Sequence, residues 1–258
     1  MAVTLETIVQ DAQTCGPLKA WSVIVTVLGD LLPNAQARIS GGALGQILEP
    51  LGISNQTLRV ALHRLKRDGW VTSFKDGRQS FYGLTSRGWD MSQAVVPLVY
   101  GPHTQAQVWL AIAPPTLQAA EVQDIAPDDA LQISPRCMVI GEAPGAALAD
   151  WLTSPLQPGQ TPGWVRDAVA NTDHRAAYRA LAQLATQAKG IAVQPLFLRT
   201  TLRILAFHHW RRMRLRDGYL ADALMPERWE GAQARDAVMA LLADYPRPDL
   251  AELESARS

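Results

Sequence analysis

Residues 54–70 read SNQTLRVALHRLKRDGW, and residues 75–85 follow with KDGRQSFYGLT. Ser54 can cap a helix by offering its hydroxyl to a free N–H of the first turn. Leu58, Ala61, Leu62 and Leu65 recur at three- and four-residue spacing and form one apolar stripe. A stripe there turns Asn55, Gln56, Arg59, His63 and Lys66 outward. Gly69 is placed to end the helix. The period then changes from 3.6 to 2. WVTSFK alternates, Asp76-Gly77 is a favoured dipeptide of two-residue hairpin turns, and RQSFYGL returns as the partner strand. Seven lysines and arginines lie between Ser54 and Arg87 against two acids, Asp68 and Asp76.

A basic amphipathic helix by itself is most often a solvated surface, so its surroundings decide the reading. Upstream, PLKAWSVIVTVLGDLLP places Trp21, Ile24, Val25, Leu28, Leu31 and Leu32 at helical spacing, with Pro17 suited to a first turn and Pro33 to a stop. Ser40 can cap a second short helix, GGALGQILEPL, ending near Pro50 and Gly52. Downstream, Thr85 or Ser86 can cap a fourth helix in LTSRGWDMSQAVVPLV. Helix, helix, helix, hairpin, helix is the order of a winged helix-turn-helix, expected over residues 1–100. In that setting Asn55, Gln56, Thr57 and Arg59 can pair with base edges, and His63 shares their face. Arg64, Lys66 and Arg67 suit phosphates, as do Ser54 and the helix N-terminus. Lys75 and Arg78 flank the hairpin turn, where a wing tip reaches the backbone or the minor groove.

The bulk numbers limit the rest. A chain of 258 residues with 48% hydrophobic and 19% charged residues is an ordinary folded protein long enough for two or three domains. Its 24 basic and 24 acidic residues exclude a globally basic nucleic-acid binder, but not a basic head on a neutral body. Residues 1–100 carry a net +2, residues 101–195 a net −3 and residues 196–258 a net +1. Cys15 and Cys137 have no metal or redox spacing and are expected to be reduced. MAVTLETIVQDAQTCG has no basic run of a signal peptide, and no apolar run reaches the ~18–20 residues of a membrane span. A cytoplasmic protein without membrane contact is expected.

A second segment, 101–163, opens at Gly101-Pro102. AQVWLAIA (106–113) and RCMVIG (136–141) read as buried strands with a helix in TLQAAEVQDIA between them, a small α/β domain. APGAALADWLTSPLQPGQTPG reads as a loop-rich boundary. From Trp164 the pattern is helical through 164–258, with the polar tail DLAELESARS expected to fray. The fold class expected is α+β.

Taken together, SVIVTVLGDLLP, LGISNQTLRVALHRLKRDGWVTSFKDGRQSFYGLTSRG and RRMRLRD…LADALMPERWEGAQA resemble the PaaX family of bacterial phenylacetic-acid degradation repressors over nearly the whole chain. The set Gly29-Asp30, Arg59, Arg64-Leu65, Asp68-Gly69-Trp70, Gly77-Arg78 and Tyr82 is specific as a combination. The resemblance implies an N-terminal winged helix, a central ferredoxin-like domain similar to the Cas2 fold, and a helical C-terminal domain for effector binding and dimerisation. It implies a homodimer on a double-stranded DNA operator, with the two winged helices reading an inverted repeat. It further implies release by an aryl-CoA thioester, phenylacetyl-CoA in the best-known members, with no resident cofactor. The chain departs from the family at Asp217-Gly218-Tyr219, where members commonly carry an Asp-Pro segment.

Other constellations are weaker. Arg199, Arg203, Arg211, Arg212, Arg214 and Arg216 lie in one acid-free helix, 196–216, so the first five are candidates for a CoA-type ligand. The alternative is that such arginines pair with Asp217, Asp222, Glu227 or Glu230 and fix the domain. His208-His209 lacks a third ligand and reads as core or interface, not as a metal site. Ser40–Gly45 reads as a helix start, not a phosphate loop, for it lacks the lysine such loops need. No ordered nucleophile–base–acid set is present, so an enzyme is not expected. The rival reading is an enzyme acting on CoA thioesters or nucleic acid, its winged helix serving only docking or dimerisation.

Overall fold

The computed structural model describes residues 4–101, 107–127, 130–157, 161–191 and 195–256. Side-chain caps set most helix starts in the N-terminal third. Thr4 caps α1 (Leu5–Asp11). Ser40, the last residue of β1 (Ile39–Ser40), caps α3 (Gly41–Leu48) by accepting from the Ala43 N–H at 3.1 Å. Ser54 opens α4 (Asn55–Arg67) through the Thr57 N–H at 3.2 Å. Between α1 and α3 lies α2 (Ala20–Leu31), which has no side-chain cap. Pro17 stands three residues before it rather than in its first turn. The sequence VIVTVLGDLL is apolar on every side, and α2 is accordingly enclosed, with Ser22 to Leu28 all buried. Trp21, expected in the inward stripe, sits at the first turn beyond that packing and is 42% exposed.

α4 ends on Gly69 (φ 74°): its N–H reaches the Lys66 carbonyl at 3.1 Å and the Trp70 N–H reaches Leu65 at 2.9 Å, a Schellman motif. The chain then forms β2 (Val71–Asp76) and β3 (Gln79–Leu84), with Asp76 paired to Gln79. The two-residue loop is therefore Gly77-Arg78, one residue later than the Asp76-Gly77 expected. Only Gly77 has positive φ (55°), which suits the first position of a primed hairpin turn. β1 pairs with β3, giving the order β1-β3-β2. α5 (Ser86–Ala94) is capped by Thr85, and Pro97 in the first turn of α6 (Val96–Tyr100) divides the single helix expected there.

The middle of the chain contains β4 (Val108–Ile112), α7 (Ala119–Ile125), β5 (Leu131–Ser134), β6 (Cys137–Ile140) and β7 (Leu152–Leu156). They form an antiparallel sheet of order β5-β6-β4-β7. β7 lies inside the stretch expected to be loop. Pro155 hid it, but β7 is an edge strand, where a missing N–H leaves no ladder bond unmade. Along β4, side chains alternate between a cluster shared with α7, including Ala111, Val122 and Met138, and one on the opposite face, including Val108 and Val139.

The remaining helices are α8 (Gly163–Val169), α9 (Thr172–Lys189), α10 (Leu196–Asp217), α11 (Leu220–Leu224), α12 (Glu230–Asp244) and α13 (Leu250–Ser255). Leu220 and Leu224 of α11 cover the second sheet face. α10 is buried from Thr200 through Trp210 and runs through the main core, which joins Ile8 and the α2–α4 helices to α9 and α12. The tail does not fray within the described residues. Asp249 caps α13, Leu253 is fully buried, and the Ser40 N–H donates to Glu254 Oε1 at 3.1 Å. Mixed helix and antiparallel sheet make the fold α+β. Among the described residues no helix is long and apolar enough to cross a membrane.

Candidate nucleic-acid interface

α4 divides as its sequence pattern requires. Leu58, Ala61, Leu62 and Leu65 are buried, while Ser54, Asn55, Gln56, Thr57, Arg59, His63 and Lys66 are all exposed, as are Lys75 and Arg78 on the hairpin. The fold brings several of these together. Asn55 and Arg59 of α4, Arg78 and Gln79 of the hairpin, and Gly41-Gly42 at the start of α3 line a single cleft. Arg59 and Arg78 thus face a common space although the sheet register, not sequence proximity, sets their approach. Lys66 Nζ donates to Ser73 Oγ at 2.6 Å and ties the end of α4 to β2.

The basic end of α4 is only loosely neutralised. Arg64 and Arg67 share Asp68 at 3.5 and 3.2 Å, and all three side chains are exposed. Such pairs contribute little, so a phosphate can replace the carboxylate with small loss. Two features of this surface escaped the sequence reading. Val60 is 66% exposed in the middle of the polar face, an apolar group of the kind that meets a thymine methyl. Arg38 stacks on Phe74 of β2, 3.1 Å from the ring centroid. Val60 was legible as the one apolar residue outside the buried stripe; the partner of Phe74 was not, because no local pattern links them.

The arginine helix α10 separates the candidate ligand residues. Arg203 is buried and grips Asp30 bidentately, Nε to Oδ2 at 2.7 Å and Nη2 to Oδ1 at 2.8 Å, while Nη1 donates to the Leu242 and Tyr245 carbonyls. Tyr100 also donates to Asp30. Arg214 is buried against Asp222 at 2.7 Å. Both are therefore committed to holding helices together, Arg203 against α2 and Arg214 against α11. Arg199 is exposed, away from the half-buried Arg211 and Arg212 that line a second cleft beside Trp21. His208 and His209 are fully buried; His208 Nδ1 lies 3.0 Å from Thr26 Oγ1. Burial, and then the charges of nearby groups, lower His208 to about 2 and His209 to about 4. Cys15 and Cys137 are both unpaired, and burial raises the Cys15 thiol to about 12.

Residues 19–88, which include α2 through the hairpin, match the family described as PaaX-like protein, and residues 166–248 match the PaaX-like protein C-terminal domain. The chain belongs to the PaaX family. It is similar to the transcriptional repressor PaaX of Escherichia coli (strain K12), with 26% identity over 264 residues that cover 90% of this chain and 82% of the relative. The first PaaX segment contains the α4 face and its hairpin, and the second contains α9, α10 and α12. The Asp30–Arg203 pair joins one PaaX segment to the other, and Asp30 is the acid of the Gly29-Asp30 pair that marks the family resemblance.

Proposed function

We propose that this PaaX-family protein is a DNA-binding transcriptional repressor. One observation carries the reading: a single helix, α4, exposes a largely hydrogen-bonding face, with Val60 as its one apolar member, next to a hairpin whose Arg78 lines the same cleft as Arg59. On this reading residues 1–100 act as a winged helix-turn-helix. Asn55, Gln56, Thr57, Arg59 and His63 read base edges from the major groove. Ser54, Lys66, Lys75 and Arg78 hold phosphates, the last two from the wing. The order α3, α4, β2, β3 with β1 closing the sheet supports that assignment.

The segment 101–163 acts as a ferredoxin-like unit, supported by its strand order, in which the crossover helix α7 precedes the β5–β6 hairpin. A 3-10 turn, Ala146–Leu148, stands where that fold has its second helix. The segment 164–258 supplies the effector and dimer functions, and a homodimer places two copies of α4 on the halves of an inverted repeat. The effector is an aryl-CoA thioester of the phenylacetyl type, and the controlled genes encode aromatic-acid breakdown in the cytoplasm. The protein works by binding alone, without turnover. A gel shift on the DNA upstream of its own gene, repeated with a panel of aryl-CoA thioesters, tests both levels. A retarded band that none of the thioesters releases sinks the effector assignment and leaves the DNA role; the absence of any retarded band sinks the DNA role.

A further inference from the structure

Apart from the exposed Arg199 near its start, the arginines of α10 fall into two groups. Arg203, Arg214 and Arg216 each have an aspartate oxygen at 2.7 Å. Arg211 and Arg212 have no carboxylate partner among the described residues. Their hydrogen bonds are long ones, from Arg211 Nη1 to Thr26 Oγ1 at 3.4 Å and from Arg212 Nη1 to the Pro17 carbonyl at 3.3 Å. Both side chains are half-buried, and burial lowers the pKa of Arg211 from its usual value. Two adjacent cations, partly withdrawn from water and not neutralised, are costly alone and become favourable when an anion joins them.

The cleft they line adds to this bias. Lys19 lies on its rim and is the N-cap of α2, where it makes no side-chain cap, so the positive end of a 12-residue helix reinforces three side-chain charges. Trp21 and Leu215, 42% and 41% exposed, give the same cleft an apolar wall. We infer that this cleft is a phosphate-binding site. Guanidinium forks match phosphate oxygens in pairs, and the wall favours a carrier with an apolar or aromatic part beside the phosphate. Trp21 also lies 6.0 Å from the guanidinium of Arg64 on α4, so the site borders the proposed DNA-reading helix. That neighbourhood rests on the repressor reading; phosphate binding itself does not.

A phosphorylated small molecule and the DNA backbone offer the same group, and two measurements separate them. The first is calorimetric titration of the full chain with inorganic pyrophosphate at fixed ionic strength. Saturable binding that weakens by at least about tenfold in Arg211→Gln/Arg212→Gln assigns a small phosphorylated ligand. The second is the salt dependence of binding to a duplex of arbitrary sequence. If the backbone is the source, pyrophosphate does not bind and the double variant lowers the salt slope by about one or two. Lys19→Glu, on an exposed side chain, repeats both arms should the double variant fail to fold. Absence of pyrophosphate binding together with an unchanged salt slope overturns the inference, as does pyrophosphate binding that both variants leave intact. A protein that binds pyrophosphate here but no DNA at all keeps this site and loses the repressor reading instead.

Discussion

Replacing Arg203 by methionine separates a structural arginine from a ligand-binding one. Asp30 is fully buried and Arg203 is 3% exposed, so the substitution removes the main counter-charge of a carboxylate that water cannot reach. Breaking a buried pair from one side typically costs about 3–5 kcal/mol. The lower end applies here, because Tyr100 still donates to Asp30 and Arg247 Nε stands 3.4 Å away. Arg203→Met should therefore lower the folding free energy by ~3 kcal/mol, roughly a hundredfold in the folding equilibrium. The assay is urea unfolding followed by far-ultraviolet circular dichroism. Asp30→Asn should be similarly costly, because it leaves the Arg203 charge buried with only carbonyl partners. The double variant Asp30→Asn/Arg203→Met removes both charges and should lose clearly less than the sum of the single losses. An Arg203→Met protein with the wild-type urea midpoint, or singles that simply add, refutes the reasoning.

Arg78→Ala should reduce the slope of log affinity against log salt by about one if the hairpin turn touches a phosphate, measured with duplex DNA by anisotropy. Leu253→Ala should destabilise the chain by ~2–5 kcal/mol in thermal unfolding, since α13 is docked; a neutral result means that the tail is not part of the core. His208 and His209 titrate below their usual 6.5 in the folded state, at about 2 and about 4, so the unfolded chain takes up protons first as pH falls. Their contribution is fully present above pH ~6.5 and is lost as pH falls, down to about 4 for His209 and about 2 for His208, by up to ~1.4 kcal/mol per pH unit for each histidine. Unfolding at pH 7 and pH 5 should show that loss, and His208→Gln/His209→Gln should flatten it; equal slopes in the two proteins contradict the assignment.

What the sequence made legible was local. Ser40, Ser54 and Thr85 act within three residues of themselves, Gly69 closes a helix through its own backbone, and the α4 stripe follows the helical period. The features it hid depend on distant chain. Asp30 meets Arg203 across 173 residues, so the acids nearest α10 in sequence were the natural candidates; Asp222 does take Arg214, but Asp30 was not among them. β7 carries a proline that only its edge position permits. Trp21 keeps the helical spacing of α2 yet turns outward, because enclosure on all sides leaves no single stripe to predict from. The docking of α13 depends on chain more than two hundred positions earlier, where the Ser40 N–H holds Glu254. Arg211 and Arg212 read like every other arginine in their helix until the ion pairs of their neighbours set them apart.

In the proposed function α4 reads DNA, with its N-terminal half on bases and its basic end on phosphates. The most direct measurement is the affinity of Arg59→Ala/Lys66→Ala for the upstream DNA of its own gene, by fluorescence anisotropy at fixed salt. Both side chains are exposed and the Lys66–Ser73 bond lies at the surface, so the variant should remain folded and unfold within a few degrees of the wild type. Loss of the Arg59 base contact alone should weaken specific binding by ~1–3 kcal/mol, with a further loss from Lys66 that is shared by unrelated sequences. Unchanged affinity in the folded double variant would take α4 off the binding face and contradict the account.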